Sequence, residues 1–218
     1  MPNSMTTRAL RWERRPEERP NELLEAALRI FAERGYANTR LEDIAADVGV
    51  TKGTIYHYFE TKEDLLLQAI DHYHDRVFLP LEKELRVRKA SVSATIRLFL
   101  RRGFGNLDPT RLSVLTLLVQ GVAREVPHVY HRWLETGPAR GWQILAELID
   151  EGKATGEFRK DVDSEVAARV TMSGLILQFA WQQFGGGAPS VTIDRDHLID
   201  STAEFLLHGL RPDGRSKR

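Results

Sequence analysis

Apolar residues return every three or four positions along most of the chain, the spacing that places them on one face of an α-helix. The first four runs follow one another so closely that no strand fits between them. They predict helices over residues 21–34, from 39 to 48, over 51–59, and from 61 toward 79. The N-terminal part of the chain is therefore expected to be entirely helical.

Residues that can cap a helix precede three of these runs. Thr39 to Glu42 has the pattern of a capping box, Thr51 precedes the third run, and Thr61 to Asp64 repeats the capping pattern before the fourth. Gly35 and Gly49 follow the first and second runs, where a left-handed residue ends a helix. These signals set the expected helix boundaries.

The helical period continues beyond Pro80, with turn residues between the apolar runs. Turns are predicted at 103–109, 121–127 and 152–156, and the last two helices at about 162–184 and 194–210, with a flexible, exposed loop at 185–190. The sequence thus predicts an all-α protein: a small N-terminal helical head and a larger C-terminal helical bundle.

The expected domain organisation follows this division. Residues 1–19 include five arginines and two prolines before residue 20, and they predict a flexible arm. Residues 20–65 form the predicted three-helix head, residues 66–211 the bundle, and residues 212–218 a disordered tail.

Composition narrows the chemistry. The 218 residues contain 31 Lys+Arg, 31 Asp+Glu and no Cys. A disulfide framework, a cysteine nucleophile and a cysteine-based zinc site are excluded, and a metal would need His or carboxylate ligands. No apolar stretch approaches the ~20 residues of a membrane span. We therefore expect a cytoplasmic protein without a membrane partner and without a cofactor.

Residues 39–59 fit a helix-turn-helix. Such a motif needs a small residue where its helices touch, a turn residue that tolerates positive φ, and a branched apolar residue on the buried face of the second helix. Ala45, Gly49 and Ile55 meet these three needs. The opposite face of the second helix carries polar and aromatic side chains, which suits a DNA major groove but also an ordinary three-helix packing unit.

A family resemblance favours DNA binding over an ordinary packing unit. The segment LEDIAADVGVTKGTIYHYFETKEDL at 41–65, preceded by ALRIFAERGYANT at 27–39, resembles the DNA-binding domain of the tetracycline-repressor (TetR) family of bacterial transcriptional regulators. The GTIYHYF core at 53–59 and the following Lys62 are the most specific part. Residues 142–158 and the last two helices are similar to the family's ligand-binding and dimerisation region.

The resemblance implies roles for individual residues. A homodimer would place two recognition helices in successive major grooves of a near-palindromic operator in double-stranded DNA, with Arg40 facing guanine and Lys62 facing the backbone. The implied DNA-contacting residues are Thr39, Arg40, Thr51, Lys52, Gly53, Thr54, Tyr56, His57, Tyr58 and Lys62. Residues 1–70 hold 10 Lys+Arg against 12 Asp+Glu, so binding must depend on where the charges lie.

The C-terminal bundle supplies the other two expected sites. An unidentified apolar or aromatic effector would bind in it and release DNA, at a pocket predicted from Phe104, His128, His131, Trp133, Trp142, Met172 and Phe179. Two apolar stripes would pair with a second copy, through Val170, Gly174, Leu177, Trp181, Leu198, Thr202, Phe205 and Leu206.

Two other function classes stay open at this point. An all-α enzyme or metal-binding protein would need a nucleophile beside a base, or clustered ligands. His128, His131 and Glu135 share a helical face, but no metal site is predicted from them. A helical protein-interaction module without DNA binding is the second alternative.

Overall fold

The computed structural model describes residues 19–87, 90–105, 109–184, 188 and 192–212. Every regular element in these ranges is helical, so the all-α prediction is confirmed. Residues 1–18 of the predicted arm, most of the loop at 185–190 and most of the C-terminal tail lie outside the described residues, whereas Arg19 is helical.

The helices follow the predicted order closely. They are α1 (Arg19–Arg34), α2 (Leu41–Val48), α3 (Lys52–Tyr58), α4 (Lys62–Arg86), α5 (Val92–Gly105), α6 (Pro109–Val122), α7 (Pro127–Leu134), α8 (Arg140–Thr155), α9 (Ser164–Phe184) and α10 (Arg195–Leu210). A single π-helical turn, Glu135–Ala139, joins α7 to α8.

Two of the three predicted caps are present. The Thr51 side chain accepts a hydrogen bond from the Thr54 amide at 3.2 Å, and Thr61 accepts one from the Asp64 amide at 3.0 Å. The box predicted at Thr39 and Glu42 is wrong, because the Thr39 hydroxyl instead donates to the Gly35 carbonyl at the end of α1, at 2.8 Å. Helix α2 begins one residue later, where the Arg40 amide donates to the Asp43 carboxylate at 2.9 Å.

Helix α4 continues through Pro80 to Arg86, beyond the predicted end near residue 79. A proline removes one backbone donor and usually breaks a helix. Here Phe78 precedes Pro80 and Leu81 and Leu85 follow it, all three buried, while Pro80 itself is exposed. Tertiary packing on both sides of the proline therefore holds the helix together.

The π turn was not predicted from the sequence. It contains Gly137 and Pro138, both buried, and the backbone passes from α7 to α8 without a loop. Pro138 has no backbone N–H, so the helix loses no donor of its own when the i→i−4 hydrogen-bond pattern is interrupted by a wider turn at this residue. Turns of this kind are frequent at functional sites.

Two buried apolar clusters organise the molecule. The head-side core joins α1, α2 and α3 to Leu65–Tyr73 of α4 and continues into α6 and α7 through Leu115, Val119 and Trp133. The body core joins the end of α4 to α5, α8, α9 and α10. Helix α4 belongs to both, so the packing of the head extends beyond the predicted domain boundary at residue 65.

Candidate nucleic-acid interface and apolar cavity

Helices α2 and α3 form the predicted helix-turn-helix. Ala45 is buried where the helices meet, and Ile55 is fully buried on the inner face of α3. Gly49 takes φ of 74°, a left-handed conformation that a β-branched or bulky side chain adopts only with strain. Its amide and that of Val50 bond back to the last carbonyls of α2. The three residues thus occupy the positions for which the motif requires them.

The outer face of α3 carries the predicted contact residues. Lys52, Gly53, Tyr56 and His57 are exposed, whereas Ile55 and Phe59 on the other face are buried. A Cβ at Gly53 would meet only the Thr51 side chain, at 3.8 Å, so the backbone is open to a close approach from outside. The Thr51 and Thr54 hydroxyls share a hydrogen bond of 2.9 Å at the start of the helix.

A carboxylate from α2 lies on this same surface. Glu42 Oε1 is 2.6 Å from Lys52 Nζ and 3.4 Å from the Tyr56 hydroxyl. The hydrogen bond with the Lys52 ammonium lowers the pKa of Glu42, and the same contact raises the pKa of Lys52. Sequence analysis named Glu42 only as part of a capping box and expected the acidic residues of the head, Glu42 among them, to point mainly away from DNA. The structure instead places Glu42 beside Lys52 on the predicted contact face.

The two residues predicted to contact DNA at the start of α2, Arg40 and Thr39, differ in exposure. Arg40 is exposed, and its guanidinium is open to solvent, whereas its backbone amide bonds to Asp43. Thr39 is 1% exposed, and its hydroxyl is held by Gly35. A direct base contact by the Thr39 side chain does not fit this conformation, because the hydroxyl is buried inside the head.

Lys62 and Tyr58 are also partly engaged within the head. The Lys62 ammonium donates to the Tyr36 carbonyl at 2.8 Å and lies 4.2 Å from the centre of the Tyr36 ring. Tyr58 is half-buried against the head-side core, with its ring 5.1 Å from that of His57. Lys62 therefore ties the start of α4 to the end of α1 and would have to leave Tyr36 to reach a phosphate.

An apolar cavity of about 50 Å³ lies where the two cores meet. Tyr73 and Trp133 line it from the head-side core, while Phe99, Phe104 and Met172 line it from the body core. The remaining walls come from the middle of α4, from Gly103 and Ile176, and from Gly137 and Pro138 of the π turn. A molecule bound here would contact both halves of the protein.

His74 is a polar, titratable group in this wall. It is 4% exposed, and its Nδ1 is 2.8 Å from the Thr136 hydroxyl in the π turn. Burial lowers the pKa of His74 to about 4, so the imidazole is neutral at pH 7. A Cβ on Gly137 would overlap the ring, which shows how closely α4 packs on the π turn.

The structure brings three of the seven predicted pocket residues to the cavity: Phe104, Trp133 and Met172. Phe179 lies behind Phe104, with ring centres 5.8 Å apart. Trp142 does not line the cavity; its ring faces the Arg169 guanidinium at 4.6 Å. Neither Phe179 nor Trp142, both predicted to line the pocket, lies in the cavity wall.

The two predicted pocket histidines lie on the surface. His128 and His131 are exposed, and the His128 imidazole contacts the Glu63 carboxylate at the start of α4. Within the described ranges, no group of three or more His, Cys, Asp or Glu residues is arranged to hold a metal. Sequence analysis missed Tyr73, His74 and Phe78, for which the helical spacing of α4 past residue 70 was the available signal.

Among the described side chains of α9 and α10, five large apolar ones face solvent. Val166, Val170, Leu177 and Trp181 are 54%, 68%, 49% and 53% exposed, and Phe205 is 84% exposed. Leu206, predicted in the same interface, is 8% exposed and belongs to the body core. Leu198 is half-buried against that core, and Thr202 bonds to the Leu198 carbonyl at 2.8 Å.

Comparison with known proteins decides the family. The family described as bacterial regulatory proteins, tetR family, matches residues 23–69, and the C-terminal domain of AefR-like transcriptional repressors matches residues 107–208. The chain belongs to the TetR family of bacterial regulatory proteins. As a TetR-family member it is a DNA-binding transcriptional regulator.

Full-length TetR-family relatives are similar along most of this chain. The HTH-type transcriptional repressor KstR2 of Rhodococcus jostii is 27% identical over 192 residues, covering 88% of this chain and 91% of that protein. The fatty acid degradation regulator FadR from Bacillus halodurans superposes with a TM-score of 0.73 at 25% identity, covering 88% of this chain and 99% of FadR.

A second TetR-fold structure has a ligand. A transcriptional regulator from Saccharomonospora viridis, in complex with choline, superposes with a TM-score of 0.74 at 25% identity and covers 90% of this chain and 100% of its own. In the TetR-family protein described here, none of the described helices is long and apolar enough to cross a membrane.

Proposed function

We propose that this regulator is a homodimeric repressor that binds a near-palindromic operator through α3 of each protomer and dissociates when a small apolar or aromatic molecule occupies the cavity. The observation that carries the proposal is the division of α3 into a buried inner face and an exposed outer face of polar and aromatic side chains. Such a face fits the major groove, where side chains read base edges.

The exposed apolar face of α9 and α10 supports a homodimer. The two helices contact each other, and together they leave large side chains such as Trp181 and Phe205 in water. Burying this face against a second copy would remove that surface from water. A two-fold axis through the pair gives the symmetry of a near-palindromic site, with half-sites about one helical turn apart.

The position of the cavity supports control by an effector. Its volume of about 50 Å³ is smaller than the ~300 Å³ or more of a typical ligand pocket, so an effector must push the lining helices apart. Helix α4 lines the cavity and also carries part of the head-side core. A molecule that binds better to the widened form therefore favours a different position of the head.

Similar proteins support both halves of the proposal. KstR2 is named a transcriptional repressor. FadR is a regulator of fatty acid degradation, and the Saccharomonospora viridis protein was solved with choline, a small molecule. For the present chain the apolar cavity walls favour an effector whose buried part is a hydrocarbon chain or an aromatic ring.

Selection of bound duplexes from a random pool tests DNA recognition. The selected sequences should be near-palindromic, and sedimentation of the complex should give two protomers for each site. A fragment upstream of the protein's own gene should compete for binding. Selected sites without two-fold symmetry, or a single protomer on each site, would contradict the homodimeric arrangement.

Tryptophan fluorescence tests the effector. Trp133 lines the cavity, so apolar and aromatic compounds can be titrated through its emission with and without operator DNA. Because coupling between two binding sites is reciprocal, a compound that weakens DNA binding must itself bind more weakly in the presence of DNA, by the same factor. Equal affinities in both titrations would exclude this mechanism of release, and chemical conversion of the compound would indicate an enzyme.

A further inference from the structure

Glu42, Lys52 and Tyr56 form a small cluster on the outer surface of the helix-turn-helix. Lys52 and Tyr56 are four residues apart on α3 and share one face of that helix, and Glu42 reaches them from α2. The carboxylate lies 2.6 Å from the Lys52 ammonium and 3.4 Å from the Tyr56 hydroxyl. The ammonium also lies 5.5 Å from the centre of the Tyr56 ring.

This cluster contributes little to the stability of the fold. The Lys52 side chain is 68% exposed and that of Glu42 is 38% exposed, and ion pairs this open to water contribute little to folding stability. The fold of the motif instead depends on the buried residues Ala45, Ile55 and Phe59 and on the turn at Gly49. The cluster can therefore rearrange without unfolding the head.

The carboxylate occupies the place that a phosphate would take. A phosphate oxygen approaching α3 would accept hydrogen bonds from a lysine ammonium and a tyrosine hydroxyl, and these are the two groups that Glu42 already holds. A phosphate and the Glu42 carboxylate also repel each other. Both effects oppose the binding of any duplex, whatever its sequence.

We propose that Glu42 is a built-in competitor for the DNA backbone, which holds Lys52 and Tyr56 in the free protein and releases them only to a phosphate. Lys52 then contacts the DNA backbone only when a phosphate replaces the Glu42 carboxylate as its partner. This inference rests on the proposed DNA-binding role of α3. Its physiological consequence is weak retention on non-operator DNA, where binding is almost entirely electrostatic.

The salt dependence of binding measures this exchange. In the wild-type protein a phosphate that binds Lys52 frees the Glu42 carboxylate beside the DNA, and the cation that this carboxylate retains offsets the counterion released from the phosphate. In Glu42→Gln the ammonium is unpaired, and the slope of log K against log salt should become steeper by about 0.9. At ~0.1 M salt this change corresponds to a five- to tenfold higher affinity for a random-sequence duplex.

Two further variants separate this mechanism from a simple change in net charge. Glu33→Gln removes the same charge from α1, where Glu33 is 3.8 Å from Arg29, and it should leave the slope unchanged. Lys52→Met combined with Glu42→Gln should abolish the gain, because the competitor acts through the lysine. Circular dichroism and thermal unfolding of each variant establish that the head is folded.

The experiment is fluorescence anisotropy of a labelled random-sequence duplex and of the selected operator, each over a range of salt concentrations. Steeper slopes and tighter binding in Glu42→Gln alone support the inference. Unchanged binding overturns it, as does an equal gain in Glu33→Gln. Weaker binding would mean that Glu42 itself contacts DNA, which also overturns it. If the wild-type protein binds neither duplex at low salt, the proposed function fails, and the inference fails with it.

Discussion

His74 Nδ1 and Thr136 Oγ1 lie 2.8 Å apart and join the middle of α4 to the π turn. The Thr136 hydroxyl also donates to the Arg132 carbonyl at 2.9 Å, so it accepts from the Nδ1–H of His74 and leaves Nε2 without a proton. The ring is neutral, buried and part of the cavity wall. Helix α4 and the π turn therefore move together or lose this contact.

Substitution of Gly137 should disturb this junction. In Gly137→Ala the new methyl group would overlap the His74 ring, which then has to move. Overpacking of this kind costs ~1–3 kcal/mol of unfolding free energy. Gly121→Ala is the control: apart from its chain neighbours and the backbone of α6 itself, the added Cβ has no atom within 4 Å, and the stability of this variant should stay within ~1 kcal/mol of wild type. Equal urea midpoints for the two variants would contradict the packing described here.

Stability should fall as pH decreases below about 6.5. In the unfolded chain His74 takes up a proton near that pH, whereas burial keeps the folded-state pKa at about 4. Between these values the unfolded state binds more protons, so His74 contributes a loss of as much as ~3 kcal/mol as pH falls toward 4.

Urea unfolding at several pH values measures this contribution. His74→Gln should lose less stability between pH 7 and pH 4.5 than the wild-type protein does. His131→Gln removes an exposed imidazole and should retain the wild-type pH dependence. The same pH profile in all three proteins would show that His74 protonates as easily in the folded state as in the unfolded one.

A charge on the apolar face of α9 should prevent assembly. Leu177→Glu would place an unpaired carboxylate in the proposed interface, at a cost of about 2 kcal/mol or more, which raises the dimer dissociation constant at least ~30-fold. Leu117→Glu on α6 is a matched control, because Leu117 is 41% exposed and Leu177 is 49% exposed. Sedimentation should show monomers only for Leu177→Glu. Dimers of unchanged affinity would place the interface elsewhere.

Arg40 should determine sequence preference at one base pair in each half-site. Its exposed guanidinium at the start of α2 can contact a guanine with two hydrogen bonds, and Arg40→Ala should cost ~1–3 kcal/mol on the operator and relax that position in selected sites. Arg29→Ala removes a cation of α1 that pairs with Asp47 and should leave the selected sequence unchanged. A uniform loss on all duplexes in Arg40→Ala would instead identify Arg40 as a backbone contact.

Local sequence determined the helices and the helix-turn-helix. The spacing of Leu23, Ile30 and Phe31 decides which face of α1 is buried, and Gly49 permits the turn between α2 and α3, because both properties depend on residues within one or two turns of each other. The same local information assigned the exposed face of α3 correctly.

Only the tertiary structure decided which faces meet. The Lys62 ammonium binds the Tyr36 carbonyl 26 residues away, and His74 bonds to Thr136 62 residues away. No local pattern encodes such pairs, since they depend on how α4 packs against two different cores. For the same reason α4 passes through Pro80: burial of Phe78, Leu81 and Leu85 outweighs the local preference of proline to end a helix.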